Sequence, residues 1–561
     1  MRAFCRLYEQ LDRTSATGAR VQALVEHFAA AAPADAAWAV HVLLGRQGKR
    51  LITGRRLRQI CLAGSPLPEW LFDDCYAQVG DSAETIALLW QQFAPDPQPR
   101  PEPGPEGESA AAAPLHHWME VLLPQVAALE GEEQEVAVRR LWRDLSANEL
   151  LVANKVLTGG LRVGVGQGLV LRALARLSGL EEARLQHRLM GGFAPSAEAF
   201  QALLSPAGHD EPLPSRPYPF FLASPLEQAS PGDADAGAPL PGAVLDWLVE
   251  WKYDGIRGQL IRRDGQCFLW SRGEELIHAS FPELVEAAQA LPEGTVLDGE
   301  VLVWAEGAER PAPFAQLQRR LGRKTAGKAL RANWPAAFVA YDLLEHGGVD
   351  IRLQPLRDRR EALEAVIAAV PAPTRLRLSP LLPLATWDQL ETLRAEAAQA
   401  GAEGVMLKAA DSPYQAGRRR GSWWKHKREP LRLDAVLLYA QAGSGRRANL
   451  FTDYTFGLWN EAGELVSFAK AYSGLNDEEI VELDRWIRRH TTERFGPVRA
   501  VEALQVFELA FEGLQPSSRH KSGIAVRFPR IARWRKDKVA KEADCLETAL
   551  GLVEGNGEPG S

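Results

Sequence analysis

Two stretches of this 561-residue chain have a composition not expected to enter a packed core, and they decide how the rest is divided. Ala94 to Pro114 reads APDPQPRPEPGPEGESAAAAP, and Ser205 to Ala243 holds SPAGHDEPLPSRPYP and ASPLEQASPGDADAGAPLPGA. Both are rich in Pro, Gly, Ala and acid, with too little apolar surface to offset the entropy of ordering. A chain this long exceeds one ordinary core, so several domains are predicted. The first stretch reads as a Pro-rich insert, the second as a linker over 205–243.

Patterning on either side differs. Up to about residue 204, runs such as ALVEHFAAAA and VAVRRLWRDLSANELLVANKVL space their apolar residues at helical intervals, which predicts an all-α domain over 1–204. After Leu245 come short β-rich runs, WLVEWKY, GQLIRR, FLWSR, TVLDGEVLVW and AAFVAYDLL, with helices between them, so 244–430 is predicted as an α+β domain. Over 431–545, strands at regular spacing (LDAVLLYAQAG, YTFGLWN, LVSFAKAYSG, VFELAFEGL, GIAVRFPRIARWR) surround one helical interval, NDEEIVELDRWIRRHTTE. A small closed β-barrel of the OB-fold type fits them. Residues 546–561 are expected to be a disordered tail.

The net charge of −7 excludes a wholesale polycation but leaves room for basic clefts. Five cysteines without a C-x-x-C pair signal neither a disulfide framework nor a thiolate zinc site. The start MRAFCRLYEQLDRT is charged throughout, and no apolar run reaches membrane-spanning length, so a soluble cytoplasmic protein is expected. P-loop, H-E-x-x-H, G-x-S-x-G and kinase-type glycine-loop motifs are all missing.

Lys252, in EWKYDGIRGQ, is open to two readings on its own: a packed strand end whose Asp-Gly serves a turn, or a nucleophile. The downstream motifs decide between them. SRGEE (271–275), LDGE (297–300), FVAYDLL (338–344), AEGVMLK (402–408) and GSWWKHK (421–427) come in one order over about 180 residues, and each has a physical task. Arginines and lysines neutralise a triphosphate, carboxylates hold Mg²⁺, and an aromatic face stacks on a base.

This ordered set resembles the nucleotidyltransferase superfamily of polynucleotide ligases and mRNA capping enzymes. The resemblance implies that Lys252 becomes covalently adenylylated by ATP and that Glu250 selects adenine. It further implies that Arg257 and Arg272 contact ribose and phosphate, and that Glu300 lies near ribose and metal. Tyr341 takes the place of the stacking aromatic, usually Phe; Glu403 is the second carboxylate for Mg²⁺, and Lys425 and Lys427 grip the α-phosphate. Of Arg418, Arg419 and Arg420, spacing from Lys425 favours Arg419 as a nucleotide contact.

The flanks separate the members of that superfamily. NKVLTGGLRVGVGQGLVLRALARL (154–177) sets a glycine-rich turn before a helix, whose free N–H groups can bind a phosphate without reading bases. It resembles the LR-x-G-x-G turn in the DNA-binding domain of large ATP-dependent DNA ligases, which implies DNA contacts at Arg162, Gly164, Gly166 and Gly168. SSRHKSGIAVRFPRIARWRKDK (517–538) is basic and resembles the last motif of DNA ligases, implying phosphate contacts at Arg527, Arg530 and Lys538. The resemblance therefore points to a bacterial ATP-dependent DNA ligase, with an opening similar to a group linked to DNA repair. It would seal nicks in duplex DNA as a monomer associated with the nucleoid, alongside other repair proteins. Two alternatives stand: an RNA ligase or capping-type enzyme, and a non-catalytic nick-binding protein.

Overall fold

The structure, a computed structural model, describes residues 1–14, 16–46, 50–93, 112–161, 163–190, 193–206, 214–226, 240, 242–321, 326–371, 375–443 and 450–555. The chain divides into two compact units. One comprises Met1–Leu177, Ala194–Gln201 and Pro430–Ser561; the other comprises Ser178–Phe193 and Ala202–Glu429.

The N-terminal part of the first unit is helical. In Arg2–Arg13, Phe4, Leu7, Tyr8 and Leu11 recur at three- and four-residue intervals and are buried, so one stripe of the helix faces the core. Ser146 and Glu149 form a capping box that starts the helix Ala147–Leu157. Within that helix, Asn154 Oδ1 accepts a buried hydrogen bond from Trp142 Nε1 at 2.9 Å.

The second unit is built on β1 (Phe221–Leu222), β2 (Ser224–Pro225), β3 (Trp247–Tyr253), β4 (Ile256–Arg263), β5 (Gln266–Ser271), β6 (Thr295–Val303), β7 (Ala336–His346), β8 (Val349–Asp350), β9 (Leu376–Leu378), β10 (Ala402–Ala409), β11 (Gly417–Arg418) and β12 (Trp423–Lys427). One sheet runs β5-β4-β6-β7-β8, with β9 added to β7; another runs β2-β12-β10-β3. Asp254 and Gly255 carry the chain from β3 in one sheet to β4 in the other. Gly255 is required there because a Cβ would run into the Val301 carbonyl and the Leu302 and Glu300 side chains. At this crossing Gly255, three residues after Lys252, lies against Glu300.

The first unit closes with β13 (Leu431–Ala442), β14 (Phe451–Trp459), β15 (Leu465–Ala471), β16 (Thr491–Phe495), β17 (Val498–Val501), β18 (Val506–Phe511), β19 (Gly513–Pro516), β20 (Ile524–Arg527) and β21 (Arg530–Trp534). β13 is long enough to pair with β14 along one edge and with β18 and β17 along the other, and β18 pairs in turn with β21. Just past β15, the Ser473 carbonyl accepts from Ile531 N at 2.9 Å, so the path β15-β14-β13-β18-β21 returns on itself.

Three expectations about boundaries are corrected. The all-α reading of 1–204 assigned 178–193 to the N-terminal domain, yet these residues belong to the second unit, where His187 stacks on Tyr218 at 5.5 Å. The linker reading of 205–243 fails over 214–226: Tyr218, Phe220 and Phe221 are buried, β1 pairs with β11 and β2 adds to the sheet at β12. A Pro-rich average hid the apolar YPFFL at 218–222. The disordered-tail reading of 546–561 fails over Leu546–Gly555, which is a helix whose Ala549 is fully buried in the core of the C-terminal β region, with Leu546, Leu552 and Val553 packed against it. Residues 94–111 of the Pro-rich insert lie outside the described residues.

The tail helix gives a direct test. Ala549→Asp would bury an unpaired charge and should lower unfolding stability by about 3 kcal/mol or more. Thermal or denaturant melts check it, and an unchanged midpoint would restore the disordered-tail reading.

Candidate active site

β10 carries a bulge between Ala402 and Val405 opposite Trp251 to Tyr253, and the bulge aims Glu403 at the nucleophile strand. Gly404 makes this possible. Its φ is +152°, and a Cβ there would overlap the His426 carbonyl across the β10–β12 pairing. Glu403 Oε1 accepts a hydrogen bond from Lys252 Nζ, while Oε2 pairs with Lys427 Nζ at 3.1 Å. Together the two ammonium groups hold the Glu403 carboxyl below the usual carboxylate range, against the opposing effect of burial.

Across the sheet crossing, Glu300 sits opposite Arg257 in the β4–β6 register. Burial pushes its carboxyl up to about 8, helped by neighbouring Asp298 and Glu403 and opposed by Lys252 and Arg257. Lys425 is pulled below its ordinary value by burial and then by the charges of Lys427, Lys252 and Arg418. Arg418, Arg419 and Arg420 are all exposed.

Several side chains meet protein partners where the sequence led us to expect a nucleotide. Arg257 donates to both Asp298 oxygens, at 3.1 and 2.7 Å, and to the Phe221 carbonyl at 2.6 Å. These bonds hold its guanidinium in the fold. Glu250 is 3% exposed and receives Arg360 Nη1 at 3.0 Å on one oxygen and Lys408 Nζ on the other. Tyr341 donates to Asp298 at 3.2 Å, and the Lys408 ammonium lies 4.1 Å from its ring centroid and 4.6 Å from that of Trp423. Arg272 has an exposed side chain, and its backbone N donates to the Arg257 carbonyl at 2.9 Å.

Sequence reasoning passed over Asp298, Lys408, Arg360 and Tyr414. Asp298 stands in the quoted LDGE and Lys408 closes AEGVMLK, so their motifs were in view; Arg360, on the helix Leu356–Ala368, and Tyr414 carry no local signal. Tyr414 donates to Asp298 at 2.6 Å.

In the first unit, Gly164 has φ +65° and its carbonyl accepts from Arg20 Nη1 at 2.8 Å, ahead of the helix Gln167–Ser178. Gly166 and Gly168 are exposed, and a Cβ on either would meet nothing within 4 Å. Arg162 lies outside the described residues. Arg527 lies over the Phe528 ring at 5.3 Å, Arg530 is half-buried, and Lys538 donates to Asp434 Oδ2 at 2.6 Å. The partner raises the Lys538 ammonium above its ordinary value. Lys538 thus rests on a carboxylate instead of standing open.

A lysine seated on a carboxylate, further lysines beside it and a second carboxyl on the adjoining sheet equip a nucleotidyl-transfer site, and comparison with known proteins narrows the class. Sequence models match residues 1–175 as DNA ligase N terminus, 244–427 as ATP dependent DNA ligase domain and 447–538 as ATP dependent DNA ligase C terminal region. A protein named probable DNA ligase from Koribacter versatilis is 36% identical over 461 residues, 77% of this chain and 77% of its own length. Another of that name, from Opitutus terrae, is 36% identical over 498 residues, covering 79% of this chain and 49% of its own length. The solved structure Pmar-Lig_PreS3 shares the fold, with a TM-score of 0.58 at 15% identity over 95% of this chain and 99% of that one. The chain belongs to the ATP-dependent DNA ligase family.

The geometry sets two expected outcomes. Gly404→Ala should lower stability by about 1 to 3 kcal/mol through overpacking. By displacing Glu403 it should also slow self-adenylylation about 100-fold, as misplacements near 1 Å do; melts and labelling kinetics check both. For Glu300, a folded carboxyl raised to about 8 against an unfolded value near 4.3 binds more protons in the folded state between those limits. Its contribution is therefore present at low pH and lost as pH rises through about 8. In chelator, the stability of the wild type relative to Glu300→Gln should fall across that window, and a flat difference would mean that Glu300 is already ionised at the acid end.

Proposed function

We propose that Lys252 is the residue adenylylated by ATP and that the enzyme seals nicks in duplex DNA, in repair, recombination or replication. The observation carrying this reading is the Lys252–Glu403–Lys427 arrangement within the strands matched by the ATP dependent DNA ligase domain. In the first step, unprotonated Lys252 Nζ attacks the α-phosphorus of ATP and the P–O bond to pyrophosphate breaks. AMP then passes from the lysine to the 5′-phosphate at the nick. Finally the 3′-hydroxyl oxygen attacks that phosphorus and AMP leaves. Glu403 and Lys427 fix Lys252 before substrate enters, and Lys425 and Lys427 supply the positive charge that the α-phosphate needs. Glu250 affects base choice through Lys408, whose ammonium it holds against the Tyr341 ring.

Mg²⁺ fits the donor set: Glu300 is a carboxyl short of compensating charge, next to Glu403. Among the described residues no group of three or more acidic, His or Cys side chains gathers, and a cation that binds through one or two carboxylates and substrate phosphates needs none. Glu300 and Glu403 would hold the ion, which neutralises phosphate charge when bound.

For DNA, the reading assigns backbone-phosphate contacts to Gly164, Gly166 and Gly168, where nothing in the fold demands glycine at the latter two, and to Arg527 and Arg530 of an OB-type barrel. Lys538 joins them on release from Asp434. No helix among the described residues is long and apolar enough to cross a membrane, and the proposal is of a monomer acting on chromosomal DNA in the bacterial cytoplasm.

Incubation with α-labelled ATP or GTP tests the chemistry. The wild type should take label from ATP alone, and Lys252→Ala should take none. Label from GTP would favour a capping-type enzyme, no label a nick-binding protein, and near-normal labelling of Lys252→Ala would remove Lys252 from the role.

A further inference from the structure

We propose that Tyr472 is a DNA-contacting residue whose ring packs on sugars and base edges in the minor groove of the bound duplex. The proposal rests on the DNA-ligase reading above and adds a contact within it. Tyr472 stands one residue beyond β15 with 73% of its surface exposed, more than any other aromatic side chain among the exposed large hydrophobics. Its position is fixed. The next residue, Ser473, accepts from Ile531 N at 2.9 Å, and Gly474, with φ +116°, lies so close to the Ile531 carbonyl that a Cβ would overlap it. The segment is thereby pressed onto β21, and the ring does not sit on a free loop.

The surroundings say what covers the ring. β21 and its approaches carry Arg527, Arg530, Arg533 and Lys536, with Lys470 leaving β15 on the same face as Tyr472 two residues earlier; against these five cations stand Glu482, 2.6 Å from Lys536, and Asp537, 3.9 Å from Arg533. A surface of this sign attracts a polyanion, and a protein partner would have to bring matching carboxylates. A large apolar ring amid cations gains nothing from phosphate, yet the groove between two phosphate strands offers sugar faces and base edges to it. Cations on the strands and an aromatic ring between them is the pattern of a surface that tracks nucleic acid.

Salt dependence separates the ring from the charges. With full-length protein and a nicked duplex, affinity is measured across a salt series for wild type, Tyr472→Ala, Tyr472→Phe and Arg530→Ala. Tyr472→Ala should bind about 5- to 100-fold more weakly at every salt concentration, with the slope of log K against log salt unchanged, because no counterion-releasing contact is lost. Tyr472→Phe should bind as the wild type does, and Arg530→Ala should reduce the slope by about one unit. If Tyr472→Ala binds within two-fold of wild type while Arg530→Ala shows its slope change, the Tyr472 contact is wrong and the DNA reading stands. A changed slope in Tyr472→Ala would likewise overturn the ring contact. If the wild type itself shows no salt-dependent affinity for the duplex, the DNA reading fails with it.

Discussion

The active site depends on one shared carboxylate. Glu403 takes Lys252 on one oxygen and Lys427 on the other, so three charges on three strands, β3, β10 and β12, are locked by two ion pairs. Remove the carboxylate and two ammonium groups face each other in a partly desolvated cleft, where like charges repel strongly. The bulge at Glu403-Gly404 exists to place it, and Gly404 exists to permit the bulge. Backbone geometry and electrostatics are one constraint here.

Behind that centre the second unit repeats the device in its walls. Arg257 with Asp298, Arg359 with Asp342, Arg263 with Glu345 and Glu250 with Arg360 and Lys408 are all buried or nearly so. Such pairs add little net stability over apolar packing, because desolvation offsets the Coulomb attraction. What they supply is geometry: each joins a strand to another element, and each leaves a costly orphan if one partner moves. Arg359 ties the helix Leu356–Ala368 to β7, and Arg360 ties the same helix to β3, two residues before the nucleophile. Sheets held this way keep Lys252 and Glu300 at fixed separation on either side of Asp254-Gly255.

What the sequence disclosed was the chemistry on strands; what it concealed was the partner from elsewhere. Lys252, Glu300, Glu403, Lys425 and Lys427 sit in short β-rich runs whose order is informative, and the fold gathers them. The protein partners of Glu250 and Arg257 could not be read from spacing, because Arg360 lies 110 residues from Glu250 and Asp298 lies 41 from Arg257. Composition misled in a different way. Averaged over 205–243, proline, glycine and acid outvote the few apolar residues at 218–222 that enter a core, and a ten-residue amphipathic helix at 546–555 is too short to stand out from a polar end. Residues 178–193 continue the helical pattern of what precedes them, and nothing local tells a helix which unit its apolar side will join.

The charges around Lys252 are unbalanced in two directions at once. Lys425 is depressed because burial and the charges of Lys427, Lys252 and Arg418 outweigh the opposing Glu403. Glu300 is raised because burial and neighbouring carboxylates outweigh Lys252 and Arg257. A neutral ligand would relieve neither. The phosphates of ATP, the cosubstrate of the family to which the chain belongs, answer the demand of the lysines.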